Sequence, residues 1–195
     1  RALRMVDHHQ AGILIHPLLF DPEQAVLINR VMEADATLAS IRAAWDLRLA
    51  GEKTAWTHLV TGPAYDLASA FAREAITDFR SITDGRAARA TFEQWFLSSR
   101  CKAADRHLIQ TMLADHHGYV FDTENFTKHL TKDVLARIGD SHQGQNYLSS
   151  ILDVVLSDPL YNEIRDRSNA NFLWFIKFER SFRESEDALG MAESK

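Results

Sequence analysis

The chain has 195 residues, 46% of them hydrophobic and 25% charged, with 8 glycines and 4 prolines, the make-up of a folded globular domain and not of a disordered or fibrous chain. A net charge of -5 disfavours a nonspecific nucleic-acid or anionic-membrane footprint, and the lone Cys101 excludes an internal disulfide and points to a reducing compartment. No run approaches the roughly 18 apolar residues of a membrane span, and residues 1–10 are too polar for a secretory signal, so the expectation is a cytoplasmic protein with no membrane or nucleic-acid partner.

Apolar residues recur at spacings of three and four almost throughout, and hardly any segment alternates as a half-buried strand would. The fold class expected is all-α, a single compact bundle of about six to eight helices. The clearest helix starts at Asp21-Pro22-Glu23-Gln24, where Asp21 caps, Pro22 suits the first helical position and Gln24 completes a capping box. It runs to about Ala50, with Leu27, Val31, Ala34, Leu38, Ile41, Trp45 and Leu49 forming its core stripe. A short helix around Lys53 to Val60 carries Trp56 and stops at Thr61-Gly62-Pro63. The next spans about Ala64 to Ile82, burying Leu67, Phe71, Ala75, Phe79 and Ile82, and breaks at Asp84-Gly85.

From Arg86 to about His117 the pattern is helical again, with a bend or second start at Ser98-Ser99 and an end at Gly118. A helix over about Glu124 to Ile138 follows the capping pair Asp122-Thr123 and stops at Gly139; Gln145 to Ser157 and then Asp158-Pro159 to about Phe182 complete the set. Residues 1–182 thus read as one helical domain, and 183–195 as an acidic, flexible tail. The most apolar stretch, Phe172 to Phe178, has two readings: a core helix, or an exposed aromatic face through which Phe172, Trp174, Phe175 and Phe178 make a homo-oligomer.

Nine histidines put metal binding first among the chemistries to test. Asp-His-His occurs at Asp7-His8-His9 and at Asp115-His116-His117, but adjacent imidazoles on a helix point about 100° apart and cannot both face one ion. Solvated helix-end histidines explain both triplets more simply. No His-Glu-x-x-His, paired Cys-x-x-Cys, phosphate loop or Gly-x-Ser-x-Gly elbow occurs. Cys101 and His107, six apart, diverge and make no local dyad.

A polar constellation lies beside the apolar stripes. Asp35 and Arg42 fall about 60° to 80° from the centre of the long helix's stripe, and Asp78 about 50° from that of its own helix. A carboxylate so close to an apolar seam must be paired, with Arg42, Arg80 and Arg100 as partners. These groups form either an ion-pair network that fixes helix register or a binding site lined by Asp35, Arg42, Asp78 and Arg100.

The segments Asn29 to Ala36, Arg42 to Gly51 with Trp56, Asp66 to Phe71 and Phe92 to Phe96 resemble an uncharacterised bacterial domain family known as putative metallopeptidases, over about Arg1 to Arg100. In that family a helix bearing His-Glu-x-x-His precedes a Glu-Ala-Asp-Ala segment that supplies a further acidic ligand to zinc, and the resemblance implies a metal-activated water attacking a peptide bond. The matching place here reads Arg1-Ala2-Leu3-Arg4-Met5 and keeps neither histidine nor the glutamate; only Glu33 and Asp35 carry over. The expectation is therefore a binding or interaction module that keeps the scaffold, with no cofactor. The alternative is a metal-dependent hydrolase holding zinc through His8, His9 and Glu33.

Overall fold

The computed structural model describes residues 1–10, 19–114, 129–139 and 146–193, and it is all-α: these residues form helices joined by turns, with no strand among them. The first helix is one that apolar periodicity does not announce. In α1 (Ala2–Gln10) Leu3 and Val6 face solvent while Arg4, Met5 and His8 turn inward, so the helix lies with a partly polar face against its neighbour.

That neighbour is α2 (Pro22–Leu49), the spine of the molecule. Asp21 Oδ1 accepts from the backbone N–H groups of Glu23 and Gln24 at 3.1 and 3.2 Å, satisfying two of the four donors that a helix start leaves unpaired. Gln24 does not close the expected capping box: its Oε1 accepts instead from the backbone N–H of Leu130 at 2.7 Å and ties down a distant segment. The predicted stripe is core from Leu27 to Trp45, whereas Leu49, at the helix end, is exposed.

Helices α3 (Thr54–Thr61) and α4 (Tyr65–Thr77) fold back on the spine. Trp45, Trp56 and Phe71 cluster there, with ring centroids 4.9 and 5.6 Å from Trp45, and the Arg48 guanidinium lies over Trp45 at 4.7 Å. The helix expected to reach Ile82 ends five residues earlier. Asp78 takes extended backbone and its Oδ1 accepts from the backbone N–H of Arg80 at 3.1 Å, a side-chain turn that competes with helix. Phe79, expected in the core, is 62% exposed as a result.

A four-residue α5 (Ser81–Asp84) then hands over to α6 (Arg86–Leu97) through Gly85, whose φ of 89° is the left-handed conformation glycine adopts without penalty. Helix α6 packs along α4. The expected interruption at Ser98 is present: α7 (Ser99–Ala114) starts there as a separate helix. One buried ion pair joins it to the spine. Arg30 donates through Nε and Nη2 to the two oxygens of Asp105, both at 2.7 Å, and also to the backbone carbonyls of Tyr161 and Glu163.

The helix expected over Glu124 to Ile138 is described from α8 (Lys132–Gly139), whose last residue is the glycine expected beyond its end. A Cβ on Gly139 would meet Asn146 Oδ1 at 2.5 Å and Leu148 at 2.8 Å, so only glycine lets the turn at 147–150 approach so closely. After α9 (Leu152–Ser157) and α10 (Pro159–Asn162), α11 (Arg167–Glu193) runs on as helix across 183–193. Asp115 to His117, Gly118 and Asp122-Thr123 lie outside the described residues.

Candidate functional site

Asp35 is buried beside the seam, 3% exposed and two turns before Arg42 on α2. Each of its oxygens has a donor. Arg4 Nε donates to Oδ2 at 2.6 Å, His8 Nε2 lies 3.0 Å from the same atom, and the Tyr147 hydroxyl donates to Oδ1 at 2.9 Å. Because a carboxylate accepts, the bond to His8 places a proton on Nε2. His8 is itself 1% exposed, and its Nδ1 is buried with no hydrogen-bond partner among the described residues.

Four parts of the chain build this cluster. Arg4 and His8 come from one face of α1, since residues four apart stack on a helix. Asp35 comes from α2, and Tyr147 from the turn that Gly139 admits. The fourth part is the end of α8, where the Ile138 carbonyl accepts from Arg4 Nη2 at 2.8 Å. That carbonyl is one of the acceptors a helix C-terminus leaves over, so the guanidinium bridges an anionic side chain and the negative end of a helix.

Burial alone would lower the Arg4 pKa, but the hydrogen bond and charge of Asp35 outweigh it and raise the value. Burial, reinforced by Asp35, pushes the Tyr147 pKa well above the ordinary phenol range. Tyr147 therefore stays protonated and remains a donor at any physiological pH. Its ring lies 5.5 Å from Phe92, which meets Phe96 at 5.0 Å, an aromatic floor that fixes where the hydroxyl points. Beside the cluster opens a cavity of about 330 Å³ lined by Arg4, Asp7, Asp35, Arg42 and Tyr147 over the apolar floor of Leu38 and Ala88.

The other candidate residues stand elsewhere. Asp78 pairs with Arg80 and Arg86 at the surface end of α4, where hydrogen bonds led by that from Arg86 lower its pKa to about 2. Arg100 Nη1 and Nη2 each donate at 2.9 Å to Asp66, and Arg100 also bonds the Pro63 carbonyl. Glu33 pairs with Arg1 near solvent. Of the four binding candidates, the structure thus brings together Asp35 and Arg42 in one cavity, and of the metal candidates it brings His8 to Asp35 and not to Glu33. The His9 side chain is outside the described residues. Arg4 and Tyr147 are the site residues that sequence reasoning misses.

A family model described as "Putative metallopeptidase family (DUF6782)" matches residues 1–149. The chain belongs to that family. The match runs beyond the stretch whose residues carry the resemblance and takes in α8 and Tyr147, so the whole Asp35 cluster lies within the metallopeptidase-family domain. No curated protein and no solved structure matches the chain.

The family's description implies a metal, and the chemistry of the donor set tests the fit. Zinc in a hydrolytic site takes three protein ligands, each offering a lone pair to the ion. Here the proton on His8 Nε2 occupies the position of that lone pair, Asp35 Oδ2 receives two donors, and a guanidinium stands 2.6 Å from the acid. No three His, Cys, Asp or Glu side chains converge among the described residues. The groups as arranged do not fit a zinc ion, and no catalytic step is derived through one.

Proposed function

We propose that the chain is a noncatalytic binding module on the metallopeptidase-family scaffold, which associates with further copies of itself through α11. The observation that carries this reading is the division of side chains on that helix. Leu173 and Ile176 are buried against the domain, while Phe172, Trp174, Phe175 and Phe178 are exposed, Trp174 by 64%. Trp174 and Phe178 stack at 5.4 Å, and Trp174 also lines, with Leu113, Asn171, Phe172 and Phe175, a shallow groove of about 550 Å³. An exposed apolar face of four rings with a groove in it suits an isologous contact between two copies, and aromatic side chains are those that interfaces favour. The cavity beside Asp35 and Arg42 is the small-ligand pocket within this reading.

Light scattering over a concentration series tests it: the wild-type protein shifts toward twice the monomer mass, and W174E/F178E stays monomeric with an unchanged circular dichroism spectrum. A wild type that is monomeric up to high micromolar concentration ends the reading.

The rival, a metal-dependent hydrolase, has support in the family's description and in the contact of His8 with Asp35. It requires close to one zinc per chain in protein never exposed to chelator, lost in H8A and E33A. Metal-free protein that is fully folded removes it. No described helix is long and apolar enough to cross a membrane.

A further inference from the structure

The acid that the family would offer to a metal already carries a positive charge supplied by the chain. Arg4 and His8 stand four residues apart on α1 and reach the same oxygen of Asp35. That spacing on one helix face is the one at which two imidazoles grip a single zinc ion. The first place of the pair is filled here by a guanidinium, which has five N–H donors and no lone pair to give. With the guanidinium gone, a metal would still have to displace the proton that His8 Nε2 shares with Asp35, as metal binding does. Two ligands bound at about 2.0 Å with a tetrahedral angle stand roughly 3.3 Å apart, and His8 Nε2 and Asp35 Oδ2 are separated by 3.0 Å. A carboxylate that is 3% exposed needs its charge compensated where it is buried, and Arg4 supplies that compensation here.

We infer that Arg4 is the built-in cation of this site: its guanidinium takes the place over Asp35 that a divalent transition-metal ion would occupy, so that Arg4→His alone converts the cluster into a zinc or cobalt site of two histidines and one carboxylate. Guanidinium and metal exclude each other there, because both need the same oxygen and repel at that range. The inference rests on the reading that the chain holds no hydrolytic zinc.

The test titrates purified wild type, R4H, R4K and R4H/H8A with zinc in a calorimeter and with cobalt in a spectrophotometer. R4H binds one zinc per chain roughly 100-fold more tightly than wild type and develops the visible absorption of four-coordinate cobalt. R4K, which keeps the positive charge, behaves as wild type, and adding H8A to R4H removes the gain. A folded R4H that binds zinc no better than wild type overturns the inference and leaves the noncatalytic reading standing. Wild type holding one zinc that H8A abolishes overturns both. Should R4H not fold, R4C decides, since a thiolate at that place also supplies a third ligand: its melting temperature rises by about 5 °C in excess zinc while that of wild type does not, and equal responses of the two proteins overturn the proposal.

Discussion

Both oxygens of Asp35 are engaged by buried or half-buried donors, and this makes the residue costly to remove. Asp35→Ala takes the buried carboxylate from the Arg4 guanidinium and the acceptor from the Tyr147 hydroxyl, and breaking one side of a buried pair costs about 3–5 kcal/mol; urea unfolding reads the loss. Tyr147→Phe removes one neutral donor and costs about 1–3 kcal/mol, without affecting the Arg4 bond. Cys101 offers a separate check. It is buried, and burial above all raises its pKa to about 11, so a disulfide reagent at pH 8 titrates it only when the protein is unfolded. Asp35 was legible in the sequence because a carboxylate 60° to 80° off an apolar stripe needs a partner. Arg4 was not, because Leu3 and Val6 of α1 point outward and the periodicity of so short a helix marks the wrong face. Tyr147 leaves no signal at all, since it reaches Asp35 across 112 residues.

At the scale of elements, boundaries follow local side-chain chemistry more than hydrophobic pattern. The three-and-four spacing of apolar residues carries straight through Asp78 to Ile82, and the capture of the Arg80 N–H by Asp78 ends α4 before Phe79. Where a breaker coincides with the end of the pattern, as at Ser98, sequence and structure agree. Gly139 shows the limit of reading a glycine as a stop. It lies inside α8, and its role is to admit the turn that brings Tyr147 to the site. Gly139→Ala forces Asn146 and Leu148 outward and costs about 1–3 kcal/mol by overpacking, measured as a fall in the urea midpoint. Tyr147 lies between those two residues and bonds Asp35, so the same displacement also weakens the site.

Over the whole molecule, charges at the helix ends govern behaviour in acid. Asp66, Asp78 and Asp84 all titrate below the ordinary carboxylate range: Asp78 and Asp84 through hydrogen bonds led by Arg86, and Asp66 because its bonds to Arg100 outweigh a burial that acts the other way. Their folded pKa values are depressed, so their contribution is complete above about pH 5, where the unfolded carboxylates are ionised, and is lost as pH falls through the folded values, to about 2 for Asp78. Unfolding midpoints measured from pH 5 to pH 2 therefore decline over that window, and Arg86→Ala makes the decline shallower. The spine has a second consequence. Helix α2 carries a cation at Arg30 committed to α7 and an anion at Asp35 committed to α1, five residues apart and facing different neighbours. A slip of one helical turn, about 5.4 Å, would maroon both charges in hydrocarbon at once, so this rod does not ratchet between alternative registers as a heptad seam can; it stays seated until the whole bundle lets go.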